Sequence, residues 1–297
     1  MNDQAKELLL RKLDGLDKIP SLPVTLLPLI NYLEQPLERL EVQQVVELIS
    51  QDKSLAAQCL YMANSPLFGR WQAVESIRDA VIGLGMQRMR DIAMSCSVLS
   101  LLPKEKTGVD PVLFWEHSMG CALVARQFAH KIKFENPGKA YLAGLLHDIG
   151  VVVHLWLLPK EFAAALELAS KQGLPLDEAE RATFGMTHAE TGKAIAERWH
   201  LASDLVEVVA FHHDPARAVV HRDLVALVFL SDLLCRMSGL GHGCMEIRQV
   251  NFVEEPGFAI LVEECPSLRH FDWARFTFEL EAYMEEVHRL VNVLYRR

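Results

Sequence analysis

Apolar residues recur at helical spacing along almost the whole chain, in runs cut by proline and glycine, while period-two alternation of β-branched residues is nearly absent. Stripes of this kind can be buried only by laying helix on helix, so an all-α fold is predicted. The spacing predicts a first helix over about 3–13. Ile19-Pro-Ser-Leu-Pro-Val then forms a proline-punctuated lead-in to a helix carrying Leu26, Leu29, Ile30 and Leu33. Further helices are expected at 40–50, 54–64 and 76–84, and at 86–101 after a turn marked by Gly83 and Gly85. The polar, breaker-rich stretch Leu102-Pro-Lys-Glu-Lys-Thr-Gly-Val-Asp-Pro divides the chain. The expected organisation is an N-terminal helical lobe (1–106) packed against a second helical lobe (107–240), then a C-terminal helical extension (241–297). In that extension the pattern weakens after Gly239-Leu-Gly-His-Gly and returns in a last long helix from Trp273 to Tyr295.

With 297 residues, two lobes are expected, because single cores stop growing at roughly 250–300 residues. A formal net charge of −9 argues against nonspecific attraction to nucleic acid or to anionic lipid. No stretch is read as approaching the roughly 20 apolar residues of a membrane span, and Met1-Asn-Asp-Gln-Ala-Lys lacks a signal-peptide core, so a cytoplasmic protein is expected. The six cysteines (Cys59, Cys96, Cys121, Cys235, Cys244, Cys265) include no C-x-x-C pair, and reduced, mostly buried thiols are expected.

Seven residues of the second lobe stand where a packed helix normally places something apolar: His117, His147, Asp148, His188, His212, His213 and Asp232. On the predicted helix from Val112 to Ile132, His117 shares a face with Leu113, Cys121, Val124 and Phe128 and so points inward. Asp232 lies in Leu224-Val-Ala-Leu-Val-Phe-Leu-Ser-Asp-Leu-Leu-Cys, apolar nearly all round. A buried carboxylate there costs several kcal/mol unless a cation or good donors compensate it, and a metal ion is such a cation. His147-Asp148 closes an apolar run before Ile149-Gly150, where a loosened helix end lets both side chains approach one ion. His212-His213 precedes Asp214-Pro215 at a helix end whose dipole favours a cation. Thr187-x-x-Glu190 fits a capping box and places His188 in a first turn. Imidazole with carboxylate suits iron, manganese, zinc or nickel. The surplus over four ligands points to two divalent ions bridged by a carboxylate, about 3.5–4 Å apart, with Asp148 as the bridge.

The order His117, His147-Asp148, His188, His212-His213, Asp232 resembles the HD superfamily of metal-dependent phosphohydrolases, most closely the branch that degrades cyclic dinucleotides. The N-terminal half is more specific. Ile19-Pro-Ser-Leu-Pro, Gln51-Asp-Lys-Ser-Leu, Ala63-Asn-Ser-Pro-Leu-Phe-Gly and Ile77-x-x-Ala80-Val81-x-x-Leu84-Gly85 look like the HD-related output domain family, HDOD, over roughly residues 15 to 235. The resemblance implies an HD-type second lobe and a role as an output module of bacterial signalling. It also shows departures: Val151 stands where the cyclic-dinucleotide branch has a lysine, Asp214-Pro-Ala-Arg replaces its glycine-tyrosine-proline motif, and Leu113 stands where some members place a glutamate.

Metal ligands kept beside substrate motifs lost imply a signalling module that works by binding other signalling proteins. The alternatives are an active phosphohydrolase on nucleotides or cyclic dinucleotides, with Asp148 as its catalytic bridge, and a metal-free helical scaffold. A nucleotide is a conceivable ligand; bulk nucleic acid and membrane are not expected partners. Asn64-Ser-Pro-Leu-Phe-Gly reads as a capped turn and fold marker. Arg70, Arg78, Arg88 and Arg90 read as solvated, and Trp71 and Trp115 as packing anchors. His130, His154, His200, His221, His242, His270 and His288 read as ordinary residues.

Overall fold

The structure, a computed structural model, describes residues 26–33, 35–68, 73–102, 110–241 and 250–295. The expected helix over 3–13, the Ile19–Val24 lead-in, Arg70, Trp71, most of the divider after Leu102, His242 and Cys244 lie outside them. Among the described residues every regular element is helical, as the periodicity requires. They fall into two compact units, one within Leu102–Met284 and the other within Ile19–Leu101 together with Glu285–Arg297. The segment beyond residue 240 is thus divided between them at Met284.

The N-terminal unit holds α1 (Leu26–Leu33), α2 (Val42–Ser50), α3 (Lys53–Ala63), α4 (Ile77–Leu84) and α5 (Met86–Ser100). Asp52 caps α3 by accepting the Ser54 and Leu55 amides at 2.8 and 3.1 Å. Gly85, at φ +88°, makes the joint between α4 and α5 in a backbone region that side chains resist. Met62 and Cys96 bring α3 and α5 together at a sulfur–sulfur distance of 3.4 Å. The Asn64 motif is a turn, but its amide does not cap a following helix. It clasps the chain ten residues on, donating to the Val74 carbonyl at 2.9 Å and accepting its N–H at 2.7 Å. The expectation for the arginines is corrected in part. Arg90 is buried and bonded to Gln87, whereas Arg88 and Arg78 are exposed as expected, Arg88 donating to the Phe68 carbonyl and Arg78 bonding Gln43.

The second unit runs through α6 (Pro111–Ile132), α7 (Pro137–Leu146), α8 (Ile149–Leu157), α9 (Pro159–Gln172), α10 (Leu176–Phe184), α11 (His188–Arg198), α12 (Ser203–Phe211), α13 (Arg222–Met237) and α14 (Pro256–Glu264). The first residues of α15 (Trp273–Tyr295) complete it, and Trp115, Phe128, Tyr141, Phe162 and Phe184 fill its core. Proline in the first turn and a preceding Asp110 or Asn136 start α6 and α7. Left-handed glycines, Gly173 and Gly185, end α9 and α10. The short helix α14 was not foreseen from sequence; it packs on α13, with Gly257 set against the Phe229 ring.

Two glycine contacts set helix spacing in this unit. A methyl group at Gly144 would stand 2.8 Å from the Cys121 carbonyl oxygen, so α7 lies backbone to backbone on α6. A methyl at Gly150 would stand 1.9 Å from the His188 carbonyl oxygen, which presses α8 equally hard on α11. The expectation that no stretch approaches a membrane span is corrected for Pro137–Leu157. Those 21 residues are long and apolar enough by length and composition, and 89% of the apolar window is buried inside the protein.

Candidate metal centre

The two glycine contacts carry two helix ends to one point. His147 closes α7, Asp148 precedes α8 with φ −99° and ψ 20°, His188 opens α11, and His212 closes α12. The Thr187–Glu190 capping box is formed, with both reciprocal hydrogen bonds present. His117 reaches in from α6, one turn before Cys121, and Asp232 from α13.

The Asp148 carboxylate divides the imidazoles between its oxygens. Oδ2 lies 3.3 Å from His117 Nε2 and 3.1 Å from His147 Nε2. Oδ1 lies 3.3 Å from His188 Nε2 and 3.2 Å from His212 Nε2. His213 joins the second group, its Nε2 2.8 Å from that of His188. Among the described residues, Asp148, His188, His212 and His213 form one donor set, and His117, His147 and Asp148 another, each with its donor atoms within 4.8 Å of one another.

The outer nitrogens fix the tautomers. His117 Nδ1 donates to the Leu240 carbonyl, His147 Nδ1 to that of Gly144 at 2.7 Å, and His212 Nδ1 to that of Val209 at 3.0 Å. His188 Nδ1 donates to the Glu180 carboxylate at 2.7 Å. With the proton on Nδ1, each neutral ring turns an Nε2 lone pair inward. The inward nitrogens then face one another at 3.2 Å (His117–His147), 2.8 Å (His188–His213) and 3.4 Å (His188–His212). Each pair contains His117 or His188, so positive charge held at these two rings, as a proton or as a metal ion, relieves all three contacts. Protons do not serve all the rings. Burial lowers His117 and His188, but the carboxylates beside them win and raise both; burial and neighbouring histidines push His212 down and His213 well down. Imidazoles whose outer nitrogens are already committed as donors, set around a shared carboxylate, make a donor set that fits divalent transition-metal ions, and the two Asp148 oxygens face different parts of it.

Asp232 stands at the edge of this arrangement. Its Oδ1 is 3.3 Å from His117 Nε2 and its Oδ2 3.9 Å from His213 Nδ1. Arg236, one turn along α13, donates Nε to both oxygens at 3.2 Å and places Nη2 3.1 Å from Oδ2. The compensating cation expected at this buried carboxylate is thus present as Arg236, which the sequence reading did not name.

Sequence reasoning also missed the layer behind His188. Glu180 is fully buried on α10, and Nδ1 of His154 donates to its Oε1 at 3.0 Å. Burial alone would raise the Glu180 carboxyl, yet the charges of His188 and His154 hold it at about 2. His154, read from sequence as ordinary, is thus a buried polar link, its Nε2 2.9 Å from Thr191 Oγ1. His130, His200, His270 and His288 are exposed and His221 half-buried. Trp115 and Val151 are core residues, while Leu113 is 37% exposed.

Among the described residues, helices alone gather histidines on a helix-end His-Asp doublet, the arrangement expected of an HD-type fold. The HDOD domain model matches residues 19–215, and the chain belongs to that family. It is similar in structure to an HDOD domain protein of unknown function from Geobacter sulfurreducens, at 29% identity and TM-score 0.83 over 98% of both chains. A candidate phosphohydrolase from Shewanella amazonensis SB2B shares the fold at 24% identity and TM-score 0.72, over 97% of this chain and 98% of that one. An uncharacterized protein of Treponema pallidum (strain Nichols) is 26% identical over 225 residues, covering 75% of this chain. The match spans 43% of that longer relative.

Proposed function

We propose that this chain is an HDOD output module that acts by binding other signalling proteins, and that its second unit is held in shape by one or two divalent transition-metal ions. The ligands in this reading are His117, His147 and Asp148 on one side and Asp148, His188, His212 and His213 on the other, with Asp232 adjoining the first. A bound ion would take the place of the protons at His117 and His188 and neutralise Asp148; in HD enzymes such ions also polarise phosphoryl oxygens.

Burial carries the preference for binding over turnover. The side chains of His117, His147, Asp148, His188, His212 and Asp232 are 4% exposed or less, and His213 alone reaches 27%. A phosphoester must bring its phosphorus within reach of the reacting groups, and a wall of this kind admits little beyond the His213 edge. Val151, where a phosphate-binding lysine is expected in the cyclic-dinucleotide branch, is buried in the core and offers no donor.

The rival reading is a metal-dependent phosphohydrolase, favoured by the way the two oxygens of Asp148 face separate donor sets. Turnover of cyclic dinucleotides, nucleotides and generic phosphodiesters with Mn²⁺ or Fe²⁺ decides between them. The proposal expects no rate above that of Asp148→Ala, and signalling proteins recovered with the chain from its native cell. Hydrolysis that disappears in Asp148→Ala would overturn it.

A further inference from the structure

The buried layer behind His188 distinguishes one donor set from the other. Glu180 is fully enclosed, a strongly unfavourable place for a carboxylate unless every oxygen is satisfied. Oε2 accepts both the backbone N–H and the Nδ1–H of His188, each at 2.7 Å, and Oε1 accepts from His154 at 3.0 Å. The Thr191 hydroxyl closes the line on the far side of His154 at 2.9 Å. Three helices, α8, α10 and α11, are thereby committed to fixing one imidazole.

The other rings have weaker backing. Nδ1 of His117, His147 and His212 each meets a neutral backbone carbonyl, and Nδ1 of His213 lies 3.9 Å from Asp232, beyond hydrogen-bond reach. A full negative charge behind an imidazole N–H pushes electron density to the opposite nitrogen and locks the ring's direction, making it the better ligand. We propose that Glu180 is a positioning residue which, through His188 and with His154 and Thr191 behind it, makes the Asp148–His188–His212–His213 position the tighter of the two and the first to fill. This rests on the metal reading above.

The test is a Co²⁺ titration of the untagged, chelator-stripped full chain, followed by visible d–d absorption in competition with a chelator. Two separable steps are expected in the wild type. Glu180→Gln should weaken the tighter step by about 10–100-fold, shift the d–d band of the first ion and leave the weaker step in place. Thr191→Val, which keeps Glu180 and removes only the hydroxyl behind His154, should weaken the same step by less; it decides the matter if Glu180→Gln does not fold by circular dichroism. Loss confined to the tighter step in either folded variant supports the inference. Unchanged affinities, equal weakening of both steps, or a single step in the wild type overturns it while leaving the metal reading intact. A wild type that takes up no Co²⁺ overturns the metal reading and this inference together.

Discussion

Gly150 and His188 touch backbone to backbone: a methyl group on Gly150 would lie 1.9 Å from the His188 carbonyl oxygen and 2.7 Å from the Gly192 nitrogen. No side-chain rotation relieves a clash with main chain, so Gly150→Ala must part α8 from α11. Overpacking of this kind costs about 3 kcal/mol. The same movement draws Asp148 away from His188, so the variant should show both a lower melting temperature and weaker metal retention. A variant as stable and as metal-retentive as the wild type would contradict the packing account.

Asp232 depends on Arg236 for compensation at its edge of the cluster. Arg236→Met keeps the aliphatic stem and removes the charge, leaving a buried carboxylate short of its cation at a cost of about 3 kcal/mol. The melting temperature of the metal-free protein should fall, and added Mn²⁺ or Zn²⁺ should raise it further than in the wild type, because an ion then takes over the neutralisation. Equal metal-induced shifts in both proteins would show that Asp232 lies beyond the ion's influence.

Glu207 provides a pH signature apart from the proposed metal ligands. Burial would raise its carboxyl, but the N–H groups of Val219, Val220 and His221, at 2.5, 3.0 and 2.7 Å, outweigh that and lower it below the ordinary 4.5. A carboxyl lower in the folded than in the unfolded chain adds stability that is complete above the unfolded value and is lost as pH falls through the folded one. Glu207→Gln should therefore be less stable than the wild type at neutral pH, with the gap closing once the pH drops below about 4. Urea unfolding at both pH values measures it, and a gap that persists in acid counts against the account.

Much of this could be read from residue order alone, and what could not has a physical cause. Pro and Gly at the helix joints, with the apolar stripe from Val112 to Ile132, made the helices and the inward face of His117 legible. The helix ends at His147-Asp148 and His212-His213 were legible from their breakers. Glu180 was hidden because Leu176-Asp-Glu-Ala-Glu-Arg reads as a solvated acidic helix. Its spacing of four from buried Phe184 was the available signal. His154 stands in Ile-Gly-Val-Val-Val-His-Leu-Trp-Leu, and the burial argument used for Asp232 applies to it unchanged. Arg236, four residues past Asp232, follows from the same helical neighbour rule. The sharing of Asp148 was expected from the surplus of ligands, but the distances at which its two oxygens meet the separate donor sets depend on how closely α7, α8 and α11 approach, which belongs to tertiary packing.

The Asn64 clasp can be tested in the N-terminal unit. Asn64→Ala removes both bonds to Val74 and leaves that backbone pair to find other partners, at about 1–3 kcal/mol. Thermal unfolding should register the loss, while metal content stays at the wild-type level because every proposed ligand lies in the other unit. Loss of metal in this variant would contradict the separation of roles.

The most direct measurement is metal stoichiometry by elemental analysis of untagged protein, wild type against Asp148→Ala. Because the two oxygens of Asp148 face both donor sets, the wild type should carry one to two transition-metal ions per chain and the variant should lose them at every position. A wild type without stoichiometric metal, or an alanine variant that keeps its full complement, would contradict the account.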